Sequence, residues 1–281
     1  MKSDAGFDAV EAMNARFGDA ADGLPGDAFT PQMAANLTRR TVRRYTDQVP
    51  QESLLHALTA IALSASSKSD YQQASILRVK DVNIRAQIGK LFPAMPWIVR
   101  APVYYVFLGD ARRLERISAL RSKPVDNGAL EGFFNATVDA ALALQTFILA
   151  AESAGLGCCP ISVIRNRIDE VAPLLGLPDK VFPVAGLCVG YPDGVTPLSP
   201  RLPPAVTTHT DRYDDTGLSK NIDRYDRMRH ARTPIHADQQ RRNDKHGVEA
   251  FYGWSEDKVR AAAEREGGTF SIYLRSHGFT F

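Results

Sequence analysis

The apolar run from Ala136 to Ala154 limits the architecture of this chain more than any other stretch. It approaches the roughly 20 residues that a bilayer-spanning helix needs, but Asp139, Gln145 and Glu152 interrupt it and alanine dominates its middle. A helix of that kind belongs inside a soluble fold, apolar nearly all round and in need of cover on most sides. Gly155-Leu156-Gly157 supplies glycines suited to a left-handed cap at its end.

Around this helix the chain alternates between helical and extended patterns. Residues 5 to 17 read as an amphipathic helix, Gly23-Leu24-Pro25-Gly26-Asp27 as a turn, and Pro31 to Leu37 as a second short helix. Val49-Pro50-Gln51-Glu52 opens a helix with Leu54, Leu55, Leu58, Ile61 and Ala62 at helical spacing, ending in polar Ser64 to Ser69. Strands are expected at Ile76–Val79, Val103–Leu108, Cys158–Ile161 and Val181–Gly190. From about Val206 to Lys245 the composition turns charged and poor in aliphatics, as in an excursion over the surface or across a partner subunit. A helix opening at Trp254-Ser255-Glu256-Asp257 and running to Gly267-Gly268 precedes a last segment, Phe270 to Leu274.

At 281 residues the chain has room for one large domain or two modest ones, and its balance of 34 basic against 32 acidic residues confines any anion site to a local cluster. The three cysteines, Cys158, Cys159 and Cys188, support neither a disulfide framework nor a zinc-type pair, which fits a reducing cytoplasm. Nothing near Met1 has the apolar core of a signal peptide. The six histidines lack metal-ligand spacing, no GxSxG elbow surrounds a serine, and the glycines form no GxGxxG fingerprint. A metal site, protein-borne covalent catalysis and a Rossmann dehydrogenase are therefore not expected, and an enzyme of this composition would borrow its reactive atom from a cofactor.

The local cationic cluster is Arg39-Arg40-Thr41-Val42-Arg43-Arg44-Tyr45, with four arginines in seven residues. Paired guanidinium groups can converge on one phosphate by forked, charge-assisted bonds. The competing readings are a solvated helix face and a nucleic-acid patch.

Three distant pieces accompany the cluster: Ser66-Ser67-Lys68-Ser69-Asp70-Tyr71-Gln72, the segment Ala150 to Gly157, and Gly186 to Pro192 followed by Ser199-Pro200-Arg201-Leu202-Pro203. In their order and spacing, and in Leu175-Gly176-Leu177-Pro178, the chain resembles the nitroreductase family, and within it the oxygen-insensitive NADPH nitroreductases and flavin reductases. The likeness runs from about Thr38 to Leu202, with a weaker echo from Trp254 to Phe281. It implies an α+β fold with a central, mostly antiparallel sheet flanked by helices, in an intertwined homodimer that holds two FMN at its interface. The apolar helix, from Asn135 to Ala154, would then be the dimer core. Residues 1–37 would form a helical arm and 38–281 the FMN-binding domain, with the charged excursion or lid at 205–250.

Carried onto this chain, the resemblance places Arg39, Arg40, Thr41 and Arg43 at the flavin and brings Arg201 to its phosphate. Arg43 would face the pyrimidine end of the ring, where a cation stabilises the charge of the reduced flavin. Ser67, Lys68 and Ser69 would come from the other subunit, as would Asn166, and Gln72 would also bind the flavin. Pro160, Ile161, Ser162 and Val163 would form the strand end beside flavin N5, with the Ser162 N–H as its donor. Ser199 stands where family members often carry lysine, with Lys68 as the compensating cation; Met95 replaces a usual glutamine and Ser162-Val163 a glycine pair, which implies a narrower pocket over the ring.

The implied reaction is a ping-pong transfer in which NADPH (or NADH) gives hydride to FMN N5 and a nitroaromatic, quinone or flavin then takes two electrons in the same pocket. Arg241 and Arg242, in the charged excursion, are the candidates for the nicotinamide cofactor's phosphate. Rival readings are a flavin-storage or sensing protein without turnover, and a flavin-dependent dehalogenase on the same scaffold.

Overall fold

The computed structural model describes residues 8–18, 29–263 and 266–281. The turn expected at Gly23–Asp27 and the first residues of the opening helix lie outside the described residues. The chain divides into two compact units, one made of the residues up to Arg39 with Pro197–Glu266, the other of Arg40–Thr196 with Gly267–Phe281.

The first unit opens with α1 (Ala9–Phe17), where Asp8 caps the helix by accepting from the Glu11 N–H at 2.9 Å. In α2 (Pro31–Thr38) proline occupies the first turn, where its missing N–H costs nothing, and Thr30 is the cap.

The second unit follows as α3 (Glu52–Leu63), β1 (Ala74–Arg78), α4 (Val82–Leu91), α5 (Trp97–Arg100), β2 (Val103–Asp110), α6 (Arg112–Arg121), α7 (Leu130–Ser153), β3 (Gly157–Ile161), α8 (Ile168–Leu174) and β4 (Val181–Gly190). All four strands pair antiparallel in the order β1-β2-β4-β3. The first strand spans Ala74–Arg78 where Ile76–Val79 was expected; Val79 just past its end is buried beside α4, its N–H still donating to the Tyr104 carbonyl of β2 at 3.0 Å. Central β2 is buried on both faces. Its Val103, Tyr105 and Phe107 pack with α3 and α7, while Tyr104, Val106 and Leu108 pack with α4, α5 and α8. Pro183 interrupts β4 where the β2–β4 register shifts between Phe107 and Leu108, a place where a missing N–H is tolerated.

Helix α7 begins at Leu130, five residues before the expected Asn135, since Gly132 allows the first turn to close against the Asn127 backbone. Its buried stripe is Gly132, Ala136, Asp139, Ala140, Ala143, Phe147, Ile148 and Ala151; the last four apolar residues pack with the sheet and α3, and Ala136 packs with Phe182 and α8. On the opposite side Leu130, Phe134, Val138 and Leu142 recur every fourth residue and are exposed.

The chain then returns to the first unit as α9 (Pro204–Thr207), α10 (Leu218–Arg232), α11 (Asn243–His246) and α12 (Trp254–Ala262), and ends in the second unit with α13 (Phe270–Ser276). The charged excursion is thus largely helical. Tyr225 of α10 anchors it by packing edge-on against Trp254 at 5.3 Å, and the buried Asp226 caps α12 by accepting from the Ser255 N–H at 3.0 Å. Helix α12 stops at Ala262, short of the expected Gly267. The C-terminal segment is held by a cluster of Phe133, Phe182, Phe270, Phe279 and Phe281.

Candidate functional site

The arginine heptad is extended, so it is not a helix face. Thr41 bridges in parallel to Cys158 of β3, and the Val42 N–H donates to the Cys158 carbonyl at 3.0 Å. Val42 is buried against Gly157, whose missing Cβ would lie 2.6 Å from the valine methyl. Further along, the Tyr45 hydroxyl donates to the Val42 carbonyl at 2.6 Å, and burial, reinforced by the Cys188 thiol, pushes its pKa well above the usual tyrosine range. With Val42 and Tyr45 turned inward, Arg40, Arg43 and Arg44 remain on the outside. Arg44 pairs with Asp193 at 3.2 Å. The Arg43 guanidinium lies over the Trp97 ring, 5.5 Å from its centroid, and the Trp97 indole N–H is buried with no acceptor among the described residues.

Arg39 ends α2 in the first unit. There the buried Arg16 of α1 donates from Nε to the Leu37 carbonyl at 3.0 Å, from Nη2 to the Arg39 carbonyl at 2.7 Å and from Nη1 to the Ser199 carbonyl at 2.7 Å. The Arg201 N–H returns a bond to the Arg16 carbonyl at 2.7 Å. One side chain therefore ties together the segments bearing Arg39 and Arg201, although they are far apart in sequence. Arg201 is exposed, its Nη1 touching the Pro200 carbonyl at 3.3 Å, and Ser199 contributes through its backbone.

At the end of β3, Pro160 and Ser162 are exposed while Ile161 is buried, and Val163 and Asn166 are half-buried in the 3-10 turn Ser162–Arg167. Met95 packs with the core under α4 and α5.

The serine-rich loop has a centre that sequence reasoning missed. Asp139 of α7 accepts from the Ser67 hydroxyl at 2.7 Å, the Lys68 N–H at 2.9 Å and the Gln73 N–H at 2.9 Å. Arg113 braces the same loop by donating to the Gln72 carbonyl and, at 3.1 Å, to the Ala74 carbonyl. Lys68, Ser69 and Gln72 are exposed. Beside them lies a cavity of about 630 Å³ lined by the end of α3, the loop, Arg113, Asp139 and Ala143, within the usual range for small-molecule sites.

In the first unit, Arg241 is committed to Asp257 at 3.1 Å, and Arg242 caps α11 from a left-handed backbone. Burial alone would raise the Asp257 pKa, but Lys258 and Arg241 outweigh it and hold the carboxyl below its usual range.

Arg16, Asp139, Arg113 and Trp97 are thus the residues the sequence did not single out. Asp139 was visible as the one carboxylate breaking the middle of an apolar helix. Arg16 carried no distinguishing signal.

Residues 37–191 match the Nitroreductase family. The chain is 37% identical over 193 residues, 66% of its length and 76% of the relative's, to an FMN reductase [NAD(P)H] of Bacillus subtilis. It is 33% identical over 198 residues, 70% of its length and 80% of the relative's, to an oxygen-insensitive NADPH nitroreductase of Salmonella typhimurium. Among solved structures it is similar to B. megaterium NfrA2, with a TM-score of 0.81 and 29% identity over 90% of this chain and 99% of that one. It also resembles an NADPH:FMN oxidoreductase from Vibrio harveyi complexed with NAD+, at TM-score 0.77 and 27% identity over 89% and 99% of the two chains. The fold and these matches define a flavin-reductase type of α+β protein. The chain belongs to the Nitroreductase family.

Proposed function

We propose that the chain is an FMN-dependent NAD(P)H oxidoreductase that passes electrons to a nitroaromatic, quinone or flavin acceptor. The observation that carries this reading is Arg16 joining the backbone of the Arg39 and Arg201 segments, two cation-bearing stretches suited to a dianionic phosphate. The donor set fits FMN: guanidinium groups for its phosphate, the Thr41 hydroxyl for its ribityl chain, and a strand end with the exposed Ser162 for the ring. FMN, when bound, would supply the two-electron chemistry that links the nicotinamide donor to the acceptor.

The chain's own residues hold and tune it. Arg39 and Arg201 neutralise the phosphate, with Arg40 beside them and Lys68 making good the lysine that Ser199 lacks. Arg43, steadied on Trp97, offers a cation to the pyrimidine edge of the ring, where negative charge grows on reduction. Ile161 and Val163 flank Ser162, whose N–H would serve as donor to the reactive nitrogen, and Pro160 precedes them. Water reaches so open a site and supplies protons. Arg241 and Arg242 select the phosphorylated nicotinamide cofactor.

A single copy of the chain does not complete the site. The Ser67–Gln72 loop enters β1 at one sheet edge, and Thr41 lies one strand position beyond β3 at the other, about 19 Å away across the strands. Along the sheet they are also offset, one near Phe182 and the other near Val189, so no single flavin spans both. Ser67, Lys68, Ser69 and Gln72 therefore serve the flavin of a second copy, the family resemblance adds Asn166 to them, and the exposed apolar stripe of α7 is the surface through which a cytoplasmic homodimer forms.

Purified protein is expected to be yellow with flavin absorption, and to bleach within the mixing time when NADPH is added anaerobically. Colourless protein that takes up no FMN on titration refutes the reading; yellow protein that NADPH fails to bleach reduces it to flavin storage.

A further inference from the structure

If the proposed flavin site is right, the Ser67–Gln72 loop forms half of it, and whatever holds that loop in shape sets the fit. We propose that Asp139 is the positioning residue of this half-site, and that Ser67 serves the flavin through Asp139 without touching it.

The hydrogen-bond inventory carries the argument. A serine hydroxyl has one hydrogen, and Ser67 spends it on the Asp139 carboxylate at 2.7 Å. The same oxygen accepts from the Gln72 N–H at 2.7 Å. Ser67 therefore has no hydrogen left for a ligand. Asp139, only 2% exposed, takes three donors from the loop and its exit, at Ser67, Lys68 and Gln73. It sits on the buried stripe of α7, so the loop is referenced to the longest helix of the unit.

The loop needs such a clamp because its backbone is unfavourable. Ser69, Asp70 and Gln72 have φ of 50°, 58° and 53°, left-handed values that side-chain-bearing residues adopt only when their surroundings impose them. Arg113 braces the far end by donating to the Gln72 and Ala74 carbonyls. Held this way, the loop presents the side chains of Lys68, Ser69 and Gln72 outward, and those are the groups left to meet the flavin. An asparagine at 139 would put a donor where the carboxylate meets only donors, breaking at least one of the three bonds.

The test is a double-mutant cycle on the full-length chain, read as FMN affinity of the FMN-free protein by quenching of flavin fluorescence. D139N is expected to weaken FMN binding at least tenfold and S67A about three- to tenfold, while the double variant binds no more weakly than D139N. The visible circular dichroism of bound flavin should also change in D139N, since the ring sits against a displaced loop. Independent, multiplying effects of the two substitutions would mean that Ser67 touches the flavin directly and would overturn the proposal, as would wild-type affinity in D139N. Should D139N not fold, S67A decides alone. It is expected to lower the melting temperature of the FMN-free protein, and an unchanged melting temperature overturns the clamp. Wild-type protein that quenches no FMN fluorescence removes the flavin reading and this proposal together, whereas wild-type binding with multiplying effects sinks only the clamp.

Discussion

Arg16→Met tests whether the phosphate site is built by convergence. The guanidinium makes four bonds of 2.7 to 3.0 Å to the Leu37, Arg39 and Ser199 carbonyls, and is 4% exposed. Bonds from a charged donor contribute about 1.5–3 kcal/mol each and are not additive; methionine keeps the bulk but leaves three carbonyls without that donor, at a cost of about 3–5 kcal/mol. That loss falls on the first unit and is read by urea unfolding. The functional consequence follows from what the clamp gathers. If Arg39 and Arg201 separate, the phosphate keeps one of its two strong cationic contacts, and FMN binding weakens by about 1.5–3 kcal/mol, or roughly 10- to 150-fold. Fluorescence titration at two salt concentrations measures it, and the variant should also show a shallower salt dependence because fewer charges meet the phosphate. Arg16→Lys, which retains charge but loses the planar fork, should fall between. An R16M protein that is destabilised yet binds FMN like wild type would show that Arg39 and Arg201 do not act together.

Arg43→Ala should make the bound flavin harder to reduce: losing about 1–2 kcal/mol of stabilisation of the reduced form corresponds to roughly 20–45 mV, measurable by dye equilibration, and an unchanged potential removes Arg43 from the ring. Phe134→Asp puts a charge in the exposed α7 stripe and should shift the protein to monomer in sedimentation velocity with parallel loss of FMN; a dimeric, fully flavinylated variant would exclude this face. Arg241→Ala combined with Arg242→Ala should lower the ratio of NADPH to NADH efficiency at least fivefold, and an unaltered ratio would clear both residues of cofactor selection. Alkaline stability follows from three groups around Cys188. Burial, helped by neighbouring thiols, raises the pKa of Tyr45, Tyr104 and Cys188 well above their usual ranges. The unfolded chain therefore releases these protons first, so stability is intact below about pH 9 and falls above pH 10 by up to roughly 4 kcal/mol per pH unit. Melting temperatures flat from pH 8 to 11 would contradict that environment.

Much of the fold was legible because the strands announce themselves. Val103–Leu108 and Val181–Gly190 lie within or coincide with β2 and β4, since an unbroken apolar run bounded by turn formers has few alternatives to a strand covered on both faces. Edges were less legible: β1 is half-buried throughout, so periodicity placed it two residues late. Within the site, the heptad was conspicuous by charge, but its extended shape depends on Val42 and Tyr45 finding β3 and β4, contacts that no local pattern encodes. Arg16 was invisible for the same reason. An arginine on an amphipathic helix looks solvated until three distant carbonyls close around it. Asp139 was noticed only as an obstacle to membrane insertion, because a carboxylate's partners lie on a loop whose own backbone is irregular.

These failures share a physical cause, and it bears on how the site works. Sequence patterns report side-chain burial, whereas Arg16 and Asp139 each act on backbone groups: one gathers carbonyls, the other gathers N–H groups and a hydroxyl. Backbone acceptors drawn to a cation and backbone donors drawn to a carboxylate leave neighbouring side chains pointing outward. Arg201, Lys68 and Ser69 are each exposed beside backbone held in this way. The two presenting devices lie in different parts of the chain, and the second sits at the sheet edge opposite Thr41. Under the proposed function, a flavin that meets Thr41 and the Ser67–Gln72 loop is shared between two copies, and the apolar stripe on the face of α7 opposite Asp139 is the proposed dimer surface. Loss of the dimer should then release FMN even when every residue that touches it is intact.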